Sequence, residues 1–256
     1  MKISFIAANK LRARKALEVL ESRYGNLDPD KAEVLVILGG DGFMLKALRD
    51  YHELGTPFFG LNMGNLGFLM NSVINEKNDL LTCIREAREV KLYPLEMHTI
   101  DIWENEQTVI AFNDVSVTRA SPQAAKLKIT VNDVVRINKL VADGVLVSTP
   151  AGSTAYNASA GGPILPISAN LLALTPISPF RPKNWKGALL TNEDEVVLET
   201  LEARKRPVHA VADMVEIKRV RYVKIRQKRS VYATVLFNPR SHLEERIISE
   251  QFERGM

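Results

Sequence analysis

Apolar residues along the first 95 positions alternate between continuous runs and helical spacing. The runs ISFIA (3–7), AEVLVILGG (32–40) and PFFGLN (57–62) contain almost no charge. Such runs are typical of strands in a parallel sheet that is covered on both faces. Between the runs, apolar residues recur at the spacing of amphipathic helices. They are Ala13, Leu17, Leu20 and Tyr24 in the first interval and Met44, Ala47, Leu48, Tyr51 and Leu54 in the second.

A third helix is predicted over NEKNDLLTCIREAREV, residues 75–90, and a Gly-rich loop precedes it. Strands and helices therefore alternate along this part of the chain. That order predicts an α/β domain with a doubly wound, Rossmann-like sheet over residues 1–95.

After Pro94 the period changes to the strict alternation of strands. One hairpin is predicted around a polar turn at 104–107, and another around Asn132-Asp133. GVLVSTP (144–150) reads as a further strand. The second domain, residues 96–235, is therefore expected to be mostly β. A tail over 236–256 carries an amphipathic helix at 241–255 and is expected to pack back on the first domain.

Composition narrows the class only a little. The chain has 256 residues, 46% of them apolar and 25% charged, with a net charge of +4. Residues 204–229 concentrate ten Lys or Arg against Asp213 and Glu216. This segment is either a solvated strand face, a source of attraction for an anionic substrate, or a nucleic-acid surface. Because Tyr222 and Tyr232 are isolated, no stacking platform is present, and we expect no nucleic-acid partner.

Cysteine use and hydropathy predict a cytoplasmic protein. Cys83 is the only cysteine, so no disulfide can form within the chain, which fits a reducing compartment. The N-terminus resembles no signal peptide, and the apolar stretches are too short to span a bilayer. We expect no membrane association.

The motif Gly39-Gly40-Asp41-Gly42 follows the second predicted strand. Glycines there let the backbone turn sharply, and the next helix offers free N–H groups to an anion. An aspartate would repel a phosphate, so Asp41 suits a hydroxyl or a magnesium ion beside the phosphate. The alternative is that Asp41 only caps the helix.

Three further stretches carry candidate polar groups: GLNMGNLGFL (60–69), FNDV (112–115) and ADGVLVSTPAGSTAYNASAGGP (142–163). Asn113 and Asp114 at a strand start suit a ribose diol, although Asn-Asp is also a common turn. In the long stretch, Ser153 or Thr154 is expected to cap a short helix. The dinucleotide fingerprint, the P-loop, the nucleophile elbow and metal-ligand histidine spacing are all absent.

These four stretches, in this order, resemble the NAD kinase family. The resemblance implies an α/β domain, a β-rich NAD-binding domain and an active site in the cleft between them. It implies phosphorylation of the 2′-hydroxyl of the adenosine ribose of NAD, with ATP, another nucleoside triphosphate or polyphosphate as donor. It also implies a divalent metal, expected to be Mg²⁺ and without assigned ligands, and a homodimer or homotetramer.

Roles carry over by position. Asp41 would activate the hydroxyl, in a phosphate loop that begins with Gly39 and Gly40. The residues expected to bind the substrates are Gly42, Lys46, Asn113, Asp114, Asp143, Thr154, Ala155, Tyr156 and Ser159.

The chain also departs from the family pattern. Phe43 replaces a usual Thr, Ala151 another Thr, and Asp114 a usual Glu. Val141 stands where a basic residue often precedes the D-G pair. The late D-G-Q motif survives only as VADMV around Asp213. Two alternatives remain: a lipid or sugar kinase that shares the GGDG loop, and a dinucleotide-sensing or nucleic-acid-binding protein without catalysis.

Overall fold

The structure is a computed structural model that describes residues 1–64, 67–72 and 79–239, together with Phe252. The chain divides into two compact units, Met1–Leu92 with Tyr232–Met256 and Tyr93–Val231. The sequence pattern placed the corresponding divisions after residues 95 and 235. The predicted helix at 241–255 lies outside the described residues, apart from Phe252.

The first unit is built on a five-stranded sheet. Its strands are β1 (Ile3–Ala7), β2 (Val34–Gly39), β3 (Phe58–Asn62), β4 (Arg88–Leu92) and β17 (Ala233–Phe237), in the order β1-β2-β3-β17-β4. Strands β1, β2, β3 and β17 run parallel, whereas β4 is antiparallel to β17. Every residue of β2 is buried, as its continuous apolar run predicted.

Within residues 1–64, 67–72 and 79–239, the helices that accompany this sheet are α1 (Leu11–Tyr24), α2 (Asp41–Tyr51) and α3 (Leu80–Arg85). The helical spacing predicted α1 and α2 correctly, since their apolar faces pack into the unit's core at Ala13, Met44 and Leu48. Helix α2 continues as a 3-10 turn to Leu54, where Gly55 with φ of 67° ends it. A left-handed residue of this kind is the common stop signal of a helix.

The third predicted helix is wrong at its C-terminal end. Residues 75–78 lie outside the described part of the chain, and α3 ends at Arg85. Residues 88–90 belong to β4, where Arg88 pairs with Phe237 and Val90 with Val235. The partner strand lies almost 150 residues further along the chain, so the local pattern carried no sign of it.

The second unit contains two antiparallel six-stranded sheets. One has the order β12-β11-β10-β7-β14-β15 and the other the order β6-β5-β16-β13-β8-β9. The strands are β5 (Leu95–Asp101), β6 (Glu106–Ala111), β7 (Asp114–Arg119), β8 (Ala125–Val131), β9 (Val134–Ala142), β10 (Gly144–Ser148), β11 (Leu171–Ile177), β12 (Ala188–Thr191), β13 (Val196–Thr200), β14 (Val208–Ala212), β15 (Val215–Ile217) and β16 (Val220–Gln227). A short helix, α4 (Tyr156–Ser159), follows β10.

Alternate residues of both sheets form one apolar core, which includes Leu127, Ile129, Val145 and Val147. The mostly β character of this part is therefore confirmed. Both predicted hairpins are present: the first turns at 102–105, slightly earlier than predicted, and the second at Asn132-Asp133. Because Asn132 and Asp133 have φ of 50° and 61°, the turn has the double left-handed geometry that suits twisted hairpins.

Candidate functional site

Asp41 is the first residue of α2, and its carboxylate faces the second Gly-rich loop. The N–H of Phe68 donates to Oδ2 at 2.7 Å, and the N–H of Leu69 donates to Oδ1 at 3.0 Å. Gly40 is the N-cap, and no side chain caps the helix. The interpretation of Asp41 as a helix cap is therefore wrong. These two bonds hold the Asp41 carboxylate in one orientation at the start of α2.

Phe43, the unusual residue of the GGDG loop, has a packing role. A Cβ on Gly39 would lie 2.9 Å from both Cβ and Cδ1 of Phe43. The ring therefore covers the end of β2 and packs at the edge of the unit's apolar core. This contact requires glycine at position 39, because any larger residue would displace the ring.

Gly42 and Lys46 are exposed on α2, one helical turn apart. In the first turn of α2, Gly42 is thus exposed next to the half-buried Asp41, whereas Met44 is buried. Gly39 is the last residue of β2, and Gly40 is the N-cap of α2. Asp41 and Gly42 lie in the first turn of the helix, and Lys46 lies on the following turn.

Asn113 and Asp114 stand at the start of β7, where the second unit clamps their backbone. The carboxylate of Asp213 accepts the N–H groups of Phe112 at 2.7 Å, Asn113 at 2.9 Å and Asp114 at 3.3 Å. On the opposite side, Thr149 donates its N–H to the carbonyl oxygen of Asn113 at 2.9 Å. The clamp uses main-chain atoms of Asn113 and Asp114, so their side chains remain available for a ligand.

Asn113 is buried, with 8% of the residue exposed, and its side-chain Oδ1 has no hydrogen-bond partner. Unpaired buried acceptors are uncommon in native structures, because losing the hydration of such an atom costs about 1–3 kcal/mol. A ligand hydroxyl that donates to Oδ1 would remove that cost.

Asp114 has lost most of its hydration. Burial raises the pKa of its carboxyl group to about 7, and the negative charge of Asp213 adds to this shift. A carboxyl group with such a pKa holds its proton in part of the molecules at neutral pH. Asp114 is then able to donate a hydrogen bond as well as to accept one.

Ser153 is buried, and its hydroxyl closes the segment 149–166 on itself. Oγ donates to the carbonyl oxygen of Pro150 at 2.7 Å and accepts the N–H of Leu165 at 2.9 Å. The expectation that Ser153 or Thr154 caps the helix is wrong, since Ala155 is the N-cap of α4 and no side chain caps it. The Ser153 hydroxyl is already engaged across the loop.

Asn157 on α4 is also buried and ties the helix to the sheet. Its Nδ2 donates to the carbonyl oxygen of Pro163 at 2.8 Å, and its Oδ1 accepts from the Thr175 hydroxyl at 2.6 Å. Neither Ser153 nor Asn157 was singled out from the sequence as a structural anchor, because both occur among many small polar residues. Their anchoring leaves three predicted ligand contacts exposed: Ala155, Tyr156 and Ser159.

Tyr156 lies within electrostatic range of two of the predicted carboxylates. Burial raises the pKa of its hydroxyl, and the negative charges of Asp114 and Asp143 raise it further. Asp143 itself accepts from Nε of Arg119 at 2.6 Å, a partner that the sequence analysis missed. The structure thus brings Asn113, Asp114, Asp143 and Tyr156 into one neighbourhood of the second unit, with Thr154 half-buried beside them.

The basic segment is largely neutralised within its own unit. Its ion pairs join Arg206 to Glu202, Arg221 to Glu104, Lys224 to Glu195, Arg226 and Lys228 to Glu96, and Arg229 to Glu193. The excess charge in the sequence is therefore mostly compensated by acids outside the segment, Glu96 in β5 and four glutamates in turns. This favours the solvated strand face over a nucleic-acid surface.

Comparison with known proteins gives the family. The model of the ATP-NAD kinase N-terminal domain matches residues 9–90, and the model of the C-terminal domain matches 112–235. The NAD kinase of Rhizobium meliloti is 50% identical over 250 residues, covering 98% of this chain and 96% of that one. This chain belongs to the NAD kinase family. The NAD kinase of Caulobacter vibrioides is similar at 45% identity with the same coverage.

Solved structures of the family share the fold. An NAD kinase from Archaeoglobus fulgidus in complex with ATP has a TM-score of 0.78 at 20% identity and covers 98% of both chains. A yeast NADH kinase complexed with NADH has a TM-score of 0.74 at 23% identity, covering 87% of this chain and 66% of that one. The predicted N-terminal α/β and C-terminal β-rich parts are thus confirmed, and the chain is an enzyme of the NAD kinase family.

Within residues 1–64, 67–72 and 79–239, no three His, Cys, Asp or Glu side chains come together as a metal site would require. Among the described helices, none is both long and apolar enough to cross a membrane.

Proposed function

We propose that this chain phosphorylates the 2′-hydroxyl of the adenosine ribose of NAD to give NADP, with ATP as the donor. The observation that carries the proposal is the buried, unpaired Oδ1 of Asn113 next to the poorly hydrated carboxyl group of Asp114. A ribose diol supplies two adjacent hydroxyl groups, and these satisfy an amide acceptor and a carboxyl group side by side.

Asp41 is proposed to accept the proton of the attacking hydroxyl. A sugar hydroxyl is a weak nucleophile at neutral pH, and a positioned base contributes about 10²–10⁴-fold to such a step. The N–H groups of Phe68 and Leu69 fix the direction of the carboxylate. Orientation matters most in phosphoryl transfer, where the protein chiefly positions the reactants and balances their charge.

The remaining contacts are proposed from the same arrangement. Lys46 and the first turn of α2, which begins beyond Gly39 and Gly40, suit phosphate oxygens. Tyr156 and Asp143 suit the base ends of a dinucleotide, together with the exposed Ala155 and Ser159 and with Thr154. Gly42 would allow close approach of the ligand at Asp41, since a Cβ there would meet nothing within 4 Å.

A divalent metal, most simply Mg²⁺, is proposed to enter with the nucleotide. Mg²⁺ usually keeps several waters and is bound by one or two carboxylates plus substrate phosphates. The lack of a three-residue cluster in the described ranges fits that mode, and no residue is assigned as a ligand. When bound, the metal would neutralise developing phosphate charge.

Three further properties are proposed with the activity. Polyphosphate or another nucleoside triphosphate is a second candidate donor. The single buried Cys83 and the absence of disulfides suit the reducing cytoplasm. We also propose a homodimer or homotetramer, which light scattering of the purified chain would test.

One assay tests the function. NADP or NADPH formation is measured from NAD or NADH, against ATP or polyphosphate, with and without Mg²⁺ and with a chelator. We expect NADP from NAD and ATP, and loss of turnover in the chelator. The proposal is wrong if no donor yields NADP, or if a lipid or sugar is phosphorylated in preference to NAD.

A further inference from the structure

Asp213 lies in the turn between β14 and β15, with φ of 52°. Its carboxylate accepts three consecutive N–H groups of the segment that starts β7, and its own N–H donates to the carbonyl oxygen of Asp114 at 3.1 Å. The turn and the segment are thus joined by four hydrogen bonds, although about 100 residues separate them in the sequence.

We propose that Asp213 is a positioning residue for the ribose-binding pair Asn113 and Asp114. The inference rests on the proposed function, because it concerns how the same site holds NAD. Asp213 binds the pair through the backbone and leaves both side chains for the substrate, so it acts on the ligand through other residues.

The geometry explains why the main chain of this segment has a single orientation. Asp213 pairs its N–H groups, while Thr149 binds the other side: Oγ1 donates to the carbonyl oxygen of Phe112 at 2.7 Å and to that of Asn113 at 3.1 Å. Hydrogen bonds to a charged acceptor are about twice as strong as neutral ones. With both sides of the peptides fixed, Oδ1 of Asn113 stays unpaired instead of rotating to a backbone donor.

The charge of Asp213 gives the proposal a pH dependence that packing alone would not have. Two groups among the described residues act electrostatically with the Asp114 carboxyl: Asp213 from the β14–β15 turn and Tyr156 from α4. Asp143, paired with Arg119, acts in turn on Tyr156. Burial raises the pKa of Asp114, and the negative charge of Asp213 raises it further. Neutralising Asp213 should therefore lower the pKa of Asp114.

The test compares Asp213→Asn with Asp101→Asn. Asp101 is a matched control, since in the β5–β6 turn its Oδ1 accepts the N–H groups of Trp103 at 2.7 Å and Asn105 at 3.0 Å. For each full-length variant, kcat and KM for NAD and for ATP are measured from below to above pH 7, and NAD binding is measured by calorimetry without ATP.

For Asp213→Asn we expect KM and Kd for NAD to rise about tenfold, the effect of one strong hydrogen bond. The KM for ATP should stay unchanged, kcat should change less, and the inflection of the NAD KM near pH 7 should move to lower pH. Asp101→Asn should leave all of these values as in the wild type.

Three results would overturn the inference. One is an unchanged KM and pH profile in Asp213→Asn, and another is the same change in Asp101→Asn. If Asp213→Asn does not fold, Asp114→Asn decides, because an inflection near pH 7 that survives without the Asp114 carboxyl contradicts the proposal. A wild type that forms no NADP refutes the proposed function, whereas a fully active wild type with an unaltered Asp213→Asn refutes only this inference.

Discussion

Asp41 in the first unit and Asp213 in the second perform the same structural task with different consequences. Each carboxylate accepts N–H groups from consecutive residues of another loop: Phe68 and Leu69 for Asp41, and the start of β7 for Asp213. Asp41 is the first residue of α2, next to the exposed Gly42, and so it is itself the candidate for contact with substrate. Asp213 instead binds the main chain of Asn113 and Asp114, and these two residues are the candidates for contact with substrate.

The difference teaches that one hydrogen-bond pattern serves either a reacting group or a positioning group. What separates the two roles is the position of each carboxylate. Asp41 is the first residue of α2, next to the exposed Gly42. Asp213 binds the main chain of Asn113 and Asp114, whose side chains are the candidates for contact with substrate. Variants of the two aspartates should therefore change different kinetic constants: kcat for Asp41 and the KM for NAD for Asp213.

The largest expected effect is the loss of turnover in Asp41→Asn. The amide oxygen still accepts one backbone N–H, so the fold should persist, but an amide does not take up the hydroxyl proton. We expect kcat to fall by about 10²–10⁴-fold with a small change in KM for NAD. Steady-state NADP formation measures this, and circular dichroism checks the fold. Full activity would remove Asp41 from the chemistry.

The next expected effect is on stability, and it comes from the Asp114 carboxyl group of the second unit. Burial raises the pKa of Asp114 from 3.8 to about 7, so the folded protein binds more protons than the unfolded chain between those values. The stabilisation is therefore complete below pH 3.8 and is lost as the pH rises through about 7. The loss is on the order of a few kcal/mol, since each pKa unit corresponds to ~1.4 kcal/mol.

Asp114→Asn should remove that dependence. Chemical denaturation of wild type and variant at several pH values gives the two curves, and their difference isolates this group from the others that titrate. We expect the variant to gain on the wild type as the pH increases toward 7. Parallel curves would show that Asp114 ionises as an ordinary carboxylate in the folded state.

A smaller effect is expected when either of two glycines is replaced: Gly67, next to Asp41, or Gly152, next to Asn113. A Cβ on Gly152 would overlap the carbonyl oxygen of Asn113, a main-chain atom that cannot move aside cheaply. A Cβ on Gly67 would lie 2.8 Å from Oδ1 of Asp41, which belongs to a side chain. Gly152→Ala should therefore cost about 1–3 kcal/mol of unfolding free energy, and Gly67→Ala less.

The loss of kcat should have the opposite order, larger in Gly67→Ala than in Gly152→Ala. Gly67→Ala displaces the Asp41 carboxylate and should lower kcat, whereas Gly152→Ala should chiefly raise the KM for NAD through Asn113. Thermal unfolding and steady-state kinetics on the same preparations measure both quantities. Equal losses of stability and of kcat in the two variants would mean that the glycines have no separate roles.

Much of the fold followed from local patterns. The buried strands, the helices α1 and α2, and the hairpin turn at Asn132-Asp133 each depend on residues close together in the chain. The error at residues 88–90 arose because β4 pairs with β17, whose contribution is invisible locally. Asn71 is a similar case, since its buried amide donates to the carbonyl oxygens of Gly60 and Leu236.

The candidate site was predictable where a motif is contiguous. GGDG, Asn113-Asp114 and the segment around Tyr156 were found from sequence, and their roles remain predictions. The clamp by Asp213 was not found, because the residue appeared only as the remnant of a motif and its partners lie about 100 positions earlier. A turn aspartate with positive φ carries no local mark of the backbone that it will bind.

The smallest expected effect tests whether the basic segment, residues 204–229, attracts the anionic substrates. Lys224 and Arg226 line a cavity of about 570 Å³ with Glu96 and His98 on the second unit. Lys224 is paired with Glu195 at 2.8 Å, and both side chains are about one-third exposed. Exposed pairs typically contribute about 0.2–1 kcal/mol, so Lys224→Met should lower stability by no more than that.

The kinetic outcome of Lys224→Met separates two explanations of the basic segment. Because acids neutralise most of the segment's charge, we expect unchanged KM values for NAD and ATP at low and at moderate ionic strength. Steering of anionic substrates would instead appear as a rise in KM that is larger at low salt, where screening is weak. Glu195→Gln is the matched control: it frees the lysine, so under steering it should lower the KM at low salt, and without steering it should leave the KM unchanged.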